Sequence, residues 1–405
     1  MRVVAANKFY FAKGGAEVYL FTLKRILEEH GHEVVPFAML DERNEPSEYS
    51  RYFVSHEDFE AGGPLSSARA AARVIYSLEA RRKVEALVDA VGPDIAHLHN
   101  IAHQLSPSII DGLRSRGVPV VQTLHDYKLI CPSYLMLSDG RPCDRCAGGR
   151  YYNAVRRRCL KDSLAKSVTV CLEAFLHTAL RTYERGVRLF IAPSESMRDR
   201  IVDHGVPSER VVHVPNTVSL DRYTPRYESL GYAVYVGRLS EGKGLRTLLA
   251  AAAIARDVRV RIVGTGPLES GLREEAARGG LDNVEFMGYR TGDELQALFD
   301  GALFVVIPSE WYENAPLVVY ESMALGKAVL GSSIGGIPEL VSAGETGLLF
   351  KPGDVEALAG RMSELAADPG RTIEMGRAGR RRLEREYAPE KHYERLMRVY
   401  ERAAA

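Results

Sequence analysis

Glu313 and Glu321 stand eight positions apart in the run Glu313-Asn314-Ala315-Pro316-Leu317-Val318-Val319-Tyr320-Glu321, which is otherwise apolar apart from Asn314 and Tyr320. Proline is favoured at the first helical position, so the spacing predicts a helix beginning near Pro316, with Asn314 and Ala315 forming its cap. Eight helical residues rise about 12 Å. At that separation the two carboxylates can address opposite ends of an extended diphosphate-sugar, a hexose at Glu313 and a ribose at Glu321. The backbone N–H groups at the helix start, Leu317 among them, are then open to phosphate. An amphipathic helix with two surface glutamates has the same pattern, so the surrounding motifs must decide.

Gly237-Arg238-Leu239-Ser240-Glu241-Gly242-Lys243-Gly244 follows a predicted strand and opens a helix, placing two cations at a strand's carboxyl end, where open α/β sheets bind ligands. An arginine fork and a lysine point charge suit a diphosphate and would stabilise the charge that develops as a nucleoside diphosphate leaves a sugar. A solvated basic turn is the competing reading. Gly264 and Gly266, one strand later, would let a base or ribose approach the backbone, and Gly14 and Gly15 would offer bare N–H groups at a helix start to the donor's phosphate from the opposite wall of the cleft. A tight turn without a ligand would use the same glycines. His125, before Asp126 at the end of another strand, can hydrogen-bond a sugar hydroxyl or carry a proton; otherwise it is a structural histidine. His97, His99 and His103 resemble a metal pattern, but two share a strand and no cysteine lies beside them, which favours strand-end packing.

Cys131, Cys143, Cys146 and Cys159 form a module in a Gly- and Arg-rich stretch of about residues 131–160. Thiols stay reduced in a cytoplasmic chain, so four clustered cysteines predict a structural zinc, with four unligated thiols or a reversible disulfide as the alternatives. Arg141, Arg145, Arg150, Arg156, Arg157, Arg158, Lys161 and Lys166 outnumber the acids there. The next helix carries Leu164, Val168, Cys171, Leu172, Phe175, Leu176, Ala179 and Leu180 on one broad face. Basic charge beside an apolar stripe fits a lipid-linked acceptor on an anionic membrane; a solvated basic loop over a helix buried in the domain core fits too, and for the helix the buried reading is preferred.

The elements that must position these residues follow from the hydrophobic pattern. Short apolar runs (Val3–Ala6, His32–Phe37, Ile95–His99, Val118–Thr123, Leu189–Ala192, Val211–Val214) alternate with helical stretches, including one around Arg69–Val91. After Pro215-Asn216-Thr217 a second alternation begins at Ala233–Val236 and continues through Val258–Val263, Val284–Phe286, Leu303–Ile307 and Ala328–Gly331. This predicts an α/β protein of two Rossmann-like, parallel-sheet domains facing across a cleft. The expected bounds are 1–215 and 216–388, with a C-terminal helix over 389–405 packing back on the first domain. Lys+Arg and Asp+Glu number 53 each, so net charge gives no push toward nucleic acid. The amino terminus lacks the pattern of a secretory signal and no run reaches the ~20 apolar residues of a bilayer span, so the expected location is the cytoplasm, free or resting on the inner membrane face.

Nearly the whole chain resembles a family 4 retaining glycosyltransferase of GT-B fold. The resemblance runs through Gly14-Gly15, His125-Asp126, Pro215-Asn216, Arg238 with Lys243, Gly264 with Gly266, Glu313 with Glu321, and Gly335-Gly336-Ile337-Pro338-Glu339. It implies a UDP- or GDP-sugar donor held mainly by the carboxyl half, Arg238 and Lys243 on its diphosphate, Glu313 on the hexose and Glu321 on the ribose. It also implies a saccharide or lipid-linked acceptor held by the amino half and a role in surface polysaccharide or glycolipid synthesis. It further implies no catalytic metal, and the chain contains no Asp-x-Asp triplet. Retention by same-face substitution leaves Glu313 outside the role of covalent nucleophile. One departure is Asn314-Ala315-Pro316 where many members carry Gly-Phe-Gly, and Pro316 removes an N–H that would face phosphate. A nucleotide-sugar 2-epimerase on the same architecture and a non-catalytic nucleotide-sugar-binding partner of a synthase complex are the alternative functions.

Overall fold

The computed structural model describes residues 1–56 and 64–405. Residues 1–138, 143–215 and 392–405 form one compact unit, and residues 139–142 and 216–391 form the other. The first is built on six strands: β1 (Arg2–Ala6), β2 (Glu33–Phe37), β3 (Ile95–Leu98), β4 (Val120–Thr123), β5 (Leu189–Ala192) and β6 (Val211–His213). They lie in the order β2-β1-β3-β4-β5-β6, all parallel. Parallel strands covered on both faces read as unbroken apolar runs, and every residue of β3, β4 and β5 is buried.

The second unit repeats the plan with β7 (Tyr232–Val236), β8 (Arg259–Val263), β9 (Val284–Gly288), β10 (Ala302–Ile307), β11 (Ala328–Ser332) and β12 (Gly347–Phe350). Their order is β9-β8-β7-β10-β11-β12, again all parallel, so the chain reverses its winding between β7 and β10. A crevice forms beyond the carboxyl ends of the strands at such a point, because the loops leave toward opposite faces of the sheet. Val260, Ile262, Phe304 and Val306 pack one face against the helices Leu245–Ile254 and Val355–Ala367, while Val234 and Val305 line the other against Val319, Tyr320 and Met323.

Two local expectations change. The helix foreseen around Arg69–Val91 is two helices, Pro64–Ile75 and Leu78–Val91, because Ser77 turns extended and its hydroxyl accepts the N–H of Ala80, starting a new helix. The helix after Glu313 is Leu317–Ala324, and Pro316 is its cap with ψ 120°, not its first residue. Asn314 and Ala315 therefore lie in the loop ahead of the cap, and a helical rise does not measure the distance from Glu313 to Glu321. The C-terminal helix Pro389–Ala404 is tied down within the first unit from His392 onward: the His392 ring meets the Tyr19 hydroxyl at 3.1 Å and the Pro215 carbonyl at 2.8 Å.

Candidate functional site

The winding reversal in the second unit brings together two loops that lie some seventy residues apart in sequence. The loop after β7 carries Arg238 and Lys243; the loop after β10 carries Ser309, Glu310, Trp311 and Glu313. They are locked edge to edge, since Glu310 donates its N–H to the Gly242 carbonyl at 2.7 Å and the Thr247 hydroxyl donates to the Glu310 carboxylate. Gly244 has φ +68°, and a Cβ there would stand 1.7 Å from the Pro308 oxygen, so only glycine lets the loops approach this closely.

At their meeting point the Lys243 ammonium donates to Glu313 Oε1 at 2.6 Å. The Ser309 hydroxyl and the Trp311 indole N–H each donate to the same oxygen at 2.8 Å. Burial pushes the Glu313 carboxyl up, but Lys243, Trp311 and Ser309 together outweigh it and hold the acid below its ordinary range. Glu313 is thus an ionised, nearly buried carboxylate whose direction is set by three donors. The Lys243 ammonium also lies 5.2 Å from the centre of the Trp311 ring, a cation–π distance. The Arg238 side chain, on the same loop as Lys243, is exposed.

The backbone of Glu313 is supported from a third loop. Gly336 donates its N–H to the Glu313 carbonyl at 2.8 Å, and a Cβ on Gly335, at φ +59°, would lie 2.0 Å from that same oxygen. Gly335-Gly336 is therefore a close-approach element that fixes the backbone carrying the carboxylate. Gly264 and Gly266 act in the same way: a Cβ on Gly264 would stand 2.0 Å from the Gly237 oxygen, and one on Gly266 would stand 2.3 Å from the Leu239 oxygen. Loop packing alone thus accounts for both glycines, ahead of any ligand. On the helix that follows, Glu321 accepts from the Tyr223 hydroxyl at 3.3 Å; burial raises its carboxyl above the ordinary value and Tyr223 offsets only part of that. Asn216 donates its side-chain amide to the Ala315 carbonyl at 3.1 Å and so pins the loop ahead of Leu317.

Ser309 and Trp311 were not singled out by sequence reasoning, and Asn216 entered it only as part of Pro215-Asn216, with no role. Trp311 is the chain's single tryptophan and lies two residues from Glu313, which is the one signal that could have drawn attention to it.

In the first unit Gly14 caps the helix Gly15–Glu29 in extended conformation, and both glycines are exposed. His125 shares a hydrogen bond of 3.0 Å with His99, while His97 bridges the Tyr400 and Thr123 hydroxyls at 2.7 Å each. Burial pushes His97, His103 and His125 down to about 3, so these rings are neutral near pH 7. A neutral His125 can exchange hydrogen bonds but does not carry a proton as a cation, and His97 and His99 are strand-end packing.

The zinc expectation finds no support. Cys131, Cys143, Cys146 and Cys159 border one cavity of about 20 Å³. Among the described residues, however, no three His, Cys, Asp or Glu side chains form a set that could hold an ion. Burial, reinforced by the thiols of Cys131, Cys159 and Cys143, pushes Cys146 up to about 12, so this thiol is protonated near pH 7. No disulfide links the four either.

Comparison with known proteins agrees with this layout. Residues 13–222 match the family described as Glycosyltransferase Family 4, and residues 221–382 match Glycosyl transferases group 1. The chain is 26% identical over 230 residues to an amylovoran biosynthesis glycosyltransferase of Erwinia amylovora, covering 53% of this chain and 56% of the relative. It is 34% identical over 187 residues to an alpha-maltose-1-phosphate synthase of Mycolicibacterium smegmatis, covering 42% and 48%. The chain thus spans about half the length of these curated relatives. Among solved structures, a sucrose-phosphate synthase from Thermosynechococcus elongatus superposes with TM-score 0.72 at 20% identity, covering 99% of this chain and 98% of that one. Anabaena HepE in complex with UDP and glucose superposes at 0.68 and 18% identity, covering 98% and 99%. These likenesses show the GT-B fold.

Proposed function

Because the chain belongs to glycosyltransferase family 4, we propose that it transfers a sugar, with retention, from a UDP- or GDP-sugar to a saccharide or lipid-linked saccharide acceptor in surface polysaccharide or glycolipid synthesis. The observation that carries this reading is the Lys243–Glu313 pair at 2.6 Å, seated where the sheet reverses its winding and oriented by Ser309 and Trp311. An ionised carboxylate with a fixed direction accepts hydrogen bonds from sugar hydroxyls. The ammonium beside it, with Arg238 on the same loop, takes the charge that develops on the departing diphosphate. Ala315 and Leu317 supply backbone near the phosphates, and Glu321, held by Tyr223, receives a ribose. Gly264 and Gly266 keep the loop of Arg238 in place, and Asn314 bridges Glu313 to the helix. The acceptor lies with the first unit, near His125, and Gly14 and Gly15 offer bare N–H groups to phosphate. The uridine form of the donor finds support in the UDP and glucose found with the similarly folded Anabaena protein.

The test is turnover with defined UDP- and GDP-sugars, with and without a saccharide acceptor. The expected result is nucleoside diphosphate released only when acceptor is present, with the sugar joined to it, and loss of on the order of 10²-fold in rate for Glu313→Gln with little change in nucleotide affinity. A sugar inverted while still attached to its nucleotide would replace this reading with an epimerase, and donor binding without turnover would replace it with a non-catalytic partner.

A further inference from the structure

The helix Leu164–Ala179 has apolar residues on both sides, whereas a helix covering a core needs them on one. Ser167, Val170, Cys171, Glu173 and His177 face inward and are buried. His177 is fixed there by the Thr182 hydroxyl at 3.0 Å and the Ile75 carbonyl at 2.7 Å, and Glu173 by Lys128 at 2.6 Å. The opposite side, which the sequence pattern assigned to the core, is open: Leu164, Val168, Leu172, Phe175, Leu176 and Leu180 are each between 37% and 53% exposed. Ala165 and Ala179 are exposed with them, and no fully exposed charged residue occurs from Leu164 to Leu180. Elsewhere among the described residues large exposed apolar side chains, such as Leu40, Leu230 and Tyr289, come singly. Six partly exposed apolar side chains on one strip, four of them leucines, give a drive to meet an apolar partner.

The charges around the strip say which partner. Exposed Arg156, Arg157, Arg158 and Lys161 precede it, and exposed Arg181, Arg185 and Arg188 follow it; against them stand Asp162 and Glu184, the latter paired with Arg181. Tyr151 packs edge-on against Phe175 at 5.3 Å and bonds the Thr178 hydroxyl, while the neighbouring Tyr152 is more than half exposed, as suits rings at the boundary between hydrocarbon and water. A second copy of the chain fits this pattern poorly. A two-fold pairing of like faces would bury the leucines but set the cations of one copy against those of the other at both ends. A flat anionic surface satisfies both features, taking the apolar strip into its acyl boundary and the cations onto its headgroups.

We propose that the exposed face of the helix Leu164–Ala179, flanked by these arginines and lysines, is the surface by which the chain docks on an anionic lipid bilayer. It lies within the first unit and does not depend on the transfer chemistry, so it is read without any activity measurement. The test is flotation of the full chain with phosphatidylcholine vesicles, with and without phosphatidylglycerol. Association with the phosphatidylglycerol vesicles is expected to be at least roughly tenfold stronger and to fall as salt is raised. Leu172→Glu with Phe175→Glu should reduce it by roughly tenfold or more, and Arg156→Glu with Arg158→Glu should remove the preference for the anionic lipid. Circular dichroism melting checks that the variants fold; if the first does not, Leu164→Gln with Leu180→Gln addresses the same strip. Failure to float with phosphatidylglycerol vesicles at low salt, or flotation unchanged by a folded variant of the strip, overturns the proposal. A solution dimer that these variants convert to monomer would also overturn it, in favour of a second copy.

Discussion

Replacing Lys243 with alanine tests whether Glu313 is held as an ion by its partner. At 2.6 Å the bare attraction in an effective dielectric of about 20 is about 6 kcal/mol, most of which offsets desolvation. Truncating one member of a fully buried pair costs about 3–5 kcal/mol, because the other charge is stranded. Here the lysine side chain is 25% exposed and two donors, Ser309 and Trp311, remain on the carboxylate, so the cost should be about 2–3 kcal/mol. The deficit should also depend on pH. In the native chain Glu313 titrates below its ordinary value, so its contribution is present at neutral pH and is lost as pH falls through that lowered value. Without Lys243 the largest influence on the acid, burial, is less opposed; the carboxyl moves up and the variant loses stability as pH rises. The gap between the two proteins should therefore be widest near pH 7 and narrow below about pH 5. Urea unfolding followed by fluorescence of Trp311, the single tryptophan, reports on the second unit, in which it lies. A deficit below about 0.5 kcal/mol that is the same at pH 4 and pH 7 would refute the reasoning, since surface substitutions reach that size.

Gly335→Ala must place a Cβ 2.0 Å from the Glu313 oxygen at φ +59°, and the expected cost of about 2–3 kcal/mol lowers the melting temperature of the second unit by roughly 6 °C, measurable by the same fluorescence. Glu321→Gln should stabilise that unit at pH 7: the native acid is raised by burial, so ionising it costs stability as pH rises, and the gain should fade toward pH 4 in urea titrations. It should also weaken donor binding if the ribose sits there. With His97, His103 and His125 pushed down to about 3, the pH–rate profile of transfer should show no imidazole step between about pH 6 and 8; a step that His125→Asn abolishes would contradict the neutral assignment.

The alternation of apolar runs and helical stretches made both parallel sheets legible, because buried parallel strands cannot hide their composition. What the sequence could not display is pairing across distance: Lys243 and Glu313 were read as separate contacts to a ligand, and only the reversal between β7 and β10 makes them partners. Pro316 misled because its fixed φ suits a helix's first residue and an extended cap equally, and ψ, which decides between them, is not set by the ring. Gly264, Gly266 and Gly335 were legible as special, but the neighbours they admit are carbonyl oxygens of adjoining loops. The helix Leu164–Ala179 was read as more fit for the core because periodicity reports a stripe and not which side is covered; Cys171 is buried, whereas the leucines beside it are exposed. The cysteine spacing brought four thiols to the border of one cavity, yet among the described residues no metal-holding set of three side chains forms, which a count of residues could not show.

The most direct test of the central claim is a thermal-shift scan of the native chain and Lys243→Ala against UDP, GDP and their sugars. A ligand at about 100 times its dissociation constant adds roughly 2.7 kcal/mol of stability. The account predicts a clear shift with one nucleotide family in the native chain and its loss in the variant. An equal shift in both proteins would place the nucleotide away from Lys243 and Glu313 and contradict the site.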